Sequence, residues 1–163
     1  RLKRDEIIGA QVEGPVLRLV GYRTRRVGVM RSSRLERREV LLESVGEKSV
    51  EANCAIAKRY YDVAMDLLGR SDPAQESKPL LVFVNPASGI GISTRLWDAI
   101  ARKVLCEDAN HVVELVRTTR QDHALDLIKG HADLVAAYKG IVIVSGDGLV
   151  YEVVQGLMGR RDW

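Results

Sequence analysis

The stretch IVIVSGDGLVYEVVQGL, Ile141 to Leu157, decides how this 163-residue chain folds. It opens with four β-branched residues, breaks at Ser145-Gly146-Asp147-Gly148, and resumes with Leu149, Val150, Val153, Val154 and Leu157 at helical spacing. Stiff β-branched side chains suit a strand, glycines let the backbone turn, and the renewed period puts one apolar side of a helix against a core. A strand, a glycine turn and a helix together form a common phosphate cradle, because the helix N-terminus presents free N–H groups and partial positive charge. Asp147 is the anomaly. It repels a phosphate, so it serves either as a helix cap or in proton or metal chemistry. Glu152, one turn into the helix, is expected near the loop and free of the core.

Outward from this stretch the pattern alternates. Leu80–Val84 reads as a strand, Thr94–Leu105 as a helix, His111–Val116 as a strand, Gln121–Val135 as a helix and Ile141–Val144 as a strand. This βαβαβα order calls for a parallel sheet with helices on both faces, an α/β fold in three layers. Ligands in such sheets bind beyond the carboxyl ends of the strands. The loops to inspect are therefore Asn85–Ser93, Arg117–Asp122 and Ser145–Gly148. The first is neither a Walker A loop, since no lysine follows Gly91, nor a dinucleotide fingerprint, since Thr94 stands where a third glycine belongs. Gly89 and Gly91 serve equally as turn residues or as a phosphate cradle. In the second loop, Thr118, Thr119, Arg120 and Gln121 suit a ribose or phosphate, and they suit a helix cap as well. His123 and His131 lie eight apart with no third ligand nearby, so no metal site is read there, and His123 reads as a packed or surface histidine.

Upstream, Gly69 to Lys78 lacks apolar periodicity and clusters breakers, which divides the chain into residues 1–70, a linker at 71–77, and residues 78–163. The first part is β-rich, with strand-like runs Val16–Val20, Arg26–Met30 and Glu39–Leu42. It ends in a helix over Ala52–Leu68 that turns Ile56, Tyr60, Val63, Ala64, Leu67 and Leu68 to one face. With 46% hydrophobic and 29% charged residues, the composition is that of an ordinary globular protein. The longest apolar runs are strand-sized, far below the roughly 20 residues that span a bilayer. Cys54 and Cys106 have no metal-ligand spacing and are too few for a disulfide framework, and no apolar signal-peptide region follows Arg1, so a reducing cytoplasmic setting is expected. Residues 1–40 carry eleven Lys/Arg against five Asp/Glu, which concentrates the net charge of +3 at this end. The simplest reading is a solvated face of a small β domain, and contact with an anionic membrane is the alternative. With one Tyr and no Phe or Trp, this block lacks the stacking platforms of single-strand nucleic-acid binders.

Ser145-Gly-Asp-Gly-Leu-Val-Tyr-Glu-Val-Val-Gln-Gly-Leu157, followed by Arg161-Asp-Trp163, resembles the signature of the sphingosine kinases, within the diacylglycerol kinase catalytic superfamily. Lys78-Pro-Leu-Leu-Val-Phe-Val-Asn-Pro86 and Thr118-Thr-Arg-Gln-Asp-His-Ala124 resemble the other two nucleotide-lobe motifs in order and spacing. Other lipid kinases of the superfamily usually read Gly-Gly-Asp-Gly-Thr, so Ser145 and Leu149 point to the sphingoid-base branch.

The resemblance implies an ATP-binding lobe over residues 78–163, with Asn85, Ser88, Gly89, Gly91, Thr118, Gln121, Ser145, Gly146, Gly148 and Glu152 around ATP. It makes Asp147 the base that activates a lipid's primary hydroxyl, with Mg²⁺ as cofactor and no dedicated protein metal site. The partners it implies are a lipid substrate and a membrane surface touched peripherally, not nucleic acid. The family's first loop typically reads Asn-Pro-x-Gly-Gly-Lys-Gly, and here Ser88 replaces a glycine and Ile90 the lysine. The first part of the chain loosely resembles a pleckstrin-homology-like region found before the catalytic domain in some sphingosine kinases. The family also has a second, β-sandwich lobe with the lipid pocket, which has no counterpart in these 163 residues, so this chain is expected to be a fragment that phosphorylates nothing alone. The competing functions are another lipid kinase of the superfamily, an NAD kinase, and a non-catalytic regulator that docks through its basic first part.

Overall fold

The computed structural model describes residues 3–27, 32–45 and 49–162. The chain divides into two compact units, residues 1–73 with 108–110 and residues 74–107 with 111–163.

In the first unit, strands β1 (Ile7–Glu13), β2 (Val16–Val27) and β3 (Ser32–Glu43) form an antiparallel sheet in that order. Gly14 makes the β1–β2 turn at a left-handed φ of 56°, a conformation glycine adopts without steric cost. The β2–β3 register runs unbroken from Val16 opposite Glu43 to Val27 opposite Ser32. Helix α1 (Val50–Leu67) starts at Ser49, whose side chain accepts the Ala52 amide at 3.0 Å. Sequence reading missed β1, where apolar and polar residues do not strictly alternate. The run Arg26–Met30 extends outside the described residues, and its first two residues end β2.

Among the described residues, the buried apolar side chains of this unit are Ala10, Leu17, Val20, Ala57 and Ala109. The apolar side of α1 does not close on the sheet as its periodicity suggests. Tyr60 and Val63 are 63% and 57% exposed, and they line an open apolar cavity with Leu17, Leu19 and Leu42. What this unit buries instead is a charge. Asp108 is 1% exposed, accepts the Tyr22 hydroxyl at 2.6 Å, and takes Arg37 Nε and Nη2 at 2.9 and 2.6 Å.

The single-turn α2 (Pro73–Glu76) lies in the segment read as a linker. In the second unit β4 (Leu80–Val84) is central, with β5 (Val113–Arg117) and β6 (Gly140–Val144) parallel to it on either side. Helix α3 (Ile92–Leu96) continues into π-helical turns over Trp97–Ala101 and Lys103–Asp108. α4 (His123–Gly130), α5 (Leu134–Ala137) and α6 (Asp147–Met158) complete the unit. Alternate residues of β4 point into two cores. Leu81 and Phe83 pack with Ala124, Ile128, Leu149 and Val153, and Val82 and Val84 pack with Trp97 and Val144. Burial on both faces explains why β4 reads as a continuous apolar run, and the α/β class follows.

The helix expected over Gln121–Val135 is two helices. α4 stops at Gly130 because Arg160 occupies the carbonyls at its end: its guanidinium donates to Ile128 O and His131 O, both at 2.6 Å. A cation there satisfies carbonyls that lack helical partners. On α6, Leu149 and Val153 are buried, whereas Val150 and Val154 are each 42% exposed. The contact stripe is therefore narrower than the apolar one. It is completed by Gly156, where an added Cβ would sit 3.0 Å from Ile128 Cβ. Among the described residues no helix is long and apolar enough to cross a membrane.

Candidate functional site

Three strands end side by side, and each end turns a loop toward the same place. After β4, Asn85 Oδ1 accepts the Ala87 amide at 2.9 Å, the local turn that asparagine side chains favour. A 3₁₀ turn over Ser88–Gly91 follows. Gly91 begins α3 at φ 80°, a left-handed conformation that favours glycine. After β5, the Thr118 amide donates to Val84 O at 2.9 Å, which pins the second loop to the neighbouring strand end. Thr118 is buried. After β6, Gly146 takes the N-cap position of α6 in extended conformation, and Asp147 is the first helical residue.

A cavity of about 480 Å³ lies against these ends. Of the residues singled out from sequence, Asn85, Thr118, Gln121, Gly148 and Glu152 line it, joined by Thr119 and Arg120. Ser88 and Gly146 stand beside it and are bonded to each other, the Ser88 hydroxyl accepting the Gly146 amide at 3.1 Å. Ser88 is the residue that departs from the glycine of the resemblance, and here it ties the first loop to the third. The side chain of Ile90 lies outside what the structure describes. Gly89 and Gly91 belong to the 3₁₀ turn, and Ser145 is half-buried in the third loop. Asp147 is exposed and is not among the described lining residues.

Two features bear on chemistry. Asp147 does not cap α6: the N-cap is Gly146, and no side-chain cap bond is made. Its carboxylate is thus left at the helix N-terminus, where negative charge is stabilised. Glu152 is not free of the core as expected. Its Oε2 is buried and has no hydrogen-bond partner among the described residues. A buried acceptor left unmatched is costly, and it belongs to a side chain that lines the cavity.

The site thus offers a carboxylate, hydroxyl and amide side chains beside the α6 N-terminus, a set that fits a nucleotide. Among the described residues no three His, Cys, Asp or Glu side chains converge to hold a metal. Mg²⁺ does not require such a cage, because it commonly binds through one or two carboxylates with phosphate and water filling the remaining places. Of the two carboxylates here, Glu152 lines the cavity and Asp147 is exposed at the start of α6. Sequence reading did not find the Ser88–Gly146 bond or the interactions of His123, because a hydrogen bond between loops leaves no periodic trace.

The sequence profile of the diacylglycerol kinase catalytic domain matches residues 79–163. The chain is 34% identical over 164 residues to sphingosine kinase 2 of Arabidopsis thaliana, covering 99% of this chain and 31% of that protein. It is 44% identical over 86 residues to sphingosine kinase 1 of the same plant, covering 53% of this chain and 17% of that protein. To human sphingosine kinase 2 it is 35% identical over 130 residues, covering 72% of this chain and 19% of that protein. The chain therefore spans between about a sixth and a third of the length of these relatives.

Proposed function

Since the chain belongs to the diacylglycerol kinase catalytic domain family, we propose that its second unit is the nucleotide-binding part of a lipid kinase that transfers the γ-phosphoryl of ATP to the primary hydroxyl of a sphingoid long-chain base. The observation that carries this reading is the convergence of three post-strand loops on one cavity that Glu152 lines, with Asp147 making no cap bond at the α6 N-terminus. Glu152 accepts from the nucleotide, Asn85, Thr118 and Gln121 hold its polar edge, and loop amides face the phosphates. Asp147 takes the proton of the lipid hydroxyl. The oxygen bonds to the γ-phosphorus, and the bridging P–O bond breaks with its electrons leaving on ADP. Bound Mg²⁺ supplies charge neutralisation on the phosphate oxygens. The excess of Lys/Arg over Asp/Glu in residues 1–40 supports peripheral contact with an anionic membrane, where a basic side chain not already paired contributes about 1 kcal/mol.

Phosphoryl transfer depends on positioning from more than one side, so the chain alone is expected to bind ATP weakly. The catalytic test places it in sphingosine kinase 2 of Arabidopsis thaliana in exchange for the matching segment. The chimera is expected to phosphorylate sphingosine. Asp147→Asn in the folded chimera should lower turnover by roughly 10² to 10⁴ with ATP affinity held or increased. A near-parental rate for that variant overturns Asp147 as the base.

A further inference from the structure

Building on the nucleotide reading of the cavity, we propose that His123 is a positioning residue: by accepting the Thr119 amide on Nδ1, it holds the Thr118–Gln121 loop in the shape that the nucleotide meets. The Thr119 N–H donates to His123 Nδ1 at 3.1 Å, and the Thr119 hydroxyl lies 3.4 Å from the same nitrogen. A backbone amide can only donate, so Nδ1 is the unprotonated nitrogen and the ring proton sits on Nε2.

The loop needs such a clamp. Four successive residues, Thr118 to Gln121, line the cavity, and the loop is anchored at its start by the Thr118 amide on Val84 O. At its end the chain enters α4 through Asp122 at φ 60°, with no side-chain cap bond. Non-glycine residues seldom adopt that conformation, so the surroundings must impose it. An aspartate at a helix start would ordinarily cap it. Here the aspartate is turned away from that role, and the ring of His123 reaches back four residues to take up a loop amide instead. Arg120 adds a second tie, meeting Asp126 of α4 at 2.7 Å.

Loss of the ring costs the fold little, because Thr119 is exposed and water can take its amide. The loop then samples other shapes, and a ligand must restore the one that fits. The readouts are ATP titration calorimetry and backbone amide exchange at Thr119 without nucleotide. His123→Ala should raise the ATP dissociation constant roughly two- to tenfold and speed Thr119 exchange, with an unchanged melting midpoint. His123→Asn, whose side-chain oxygen can stand in for Nδ1, should restore both. Unchanged ATP affinity in His123→Ala while the parent binds, or equal losses in the Ala and Asn variants, overturns the positioning role. A parent chain that protects the Thr119 amide yet binds no ATP overturns the nucleotide reading of the cavity and the role that rests on it.

Discussion

Among the fully buried side chains, one from each unit makes a chemical contrast. In the second unit it is Phe83, on a strand covered on both faces. In the first it is Asp108, held by Arg37 and Tyr22. The parallel-sheet unit excludes water with apolar side chains from three layers, which makes a firm platform for loops at one end. The antiparallel unit has few apolar residues inside, and it leaves the apolar side of α1 open. Burial of apolar area is favourable wherever it occurs, whereas a buried charge is tolerated only while its partners remain.

Truncation should cost both units heavily for these different reasons. Phe83→Ala is expected to remove about 3–5 kcal/mol through lost burial and a cavity, and Asp108→Ala about 1–3 kcal/mol, because the Tyr22 hydroxyl loses its acceptor while Arg37 keeps only Glu39 among the described residues. Denaturant unfolding measures both. The comparison is sharpened by a triple change: Asp108→Leu with Arg37→Met and Tyr22→Phe should recover most of the loss, because replacing a whole buried polar cluster by apolar groups is often neutral. An Asp108→Ala variant as stable as the parent would show that the charge does not hold the first unit together.

This contrast also explains what could be read in the sequence. Leu80–Val84 and Ile141–Val144 are legible as strands because burial on both faces leaves an unbroken apolar run, and the loop positions follow from the parallel topology. In α1 the same kind of periodicity misled, since Tyr60 and Val63 stay exposed. Helical spacing records which side is apolar, not whether anything covers it. Asp108 was invisible, because its partners lie 86 and 71 residues away. At the site, glycine spacing and the carboxylates marked loops that line the cavity, but Glu152 reads as free of the core, whereas one of its oxygens is enclosed.

A smaller effect tests whether the platform also orders its loops. Ser88→Ala removes the acceptor of the Gly146 amide, a neutral bond contributing about 0.5–1.5 kcal/mol. Gly146 exchange should accelerate by roughly two- to tenfold, with the global unfolding midpoint nearly unchanged. No change at Gly146 would show that the first and third loops are ordered independently.

A change confined to alkaline pH compares one tyrosine in each unit. Burial, reinforced by the Asp108 carboxylate, pushes the Tyr22 hydroxyl up to about 12. Burial, reinforced by Glu114, pushes Tyr138 up to about 12 as well, its hydroxyl lying 2.8 Å from Glu114 Oε2. An unfolded tyrosine loses its proton near pH 10, so between there and about 12 the unfolded chain ionises while the folded one stays neutral. By linkage, the stability from these groups is fully present below pH 10 and drains away as the pH rises toward 12. The melting midpoint should therefore fall across that window. Tyr138→Phe should flatten the fall at little cost, since Glu114 is exposed and water can take its oxygen. Tyr22→Phe should flatten it too but start from lower stability, because buried Asp108 loses a donor. A double Phe variant with the parental pH slope would remove both tyrosines as its source.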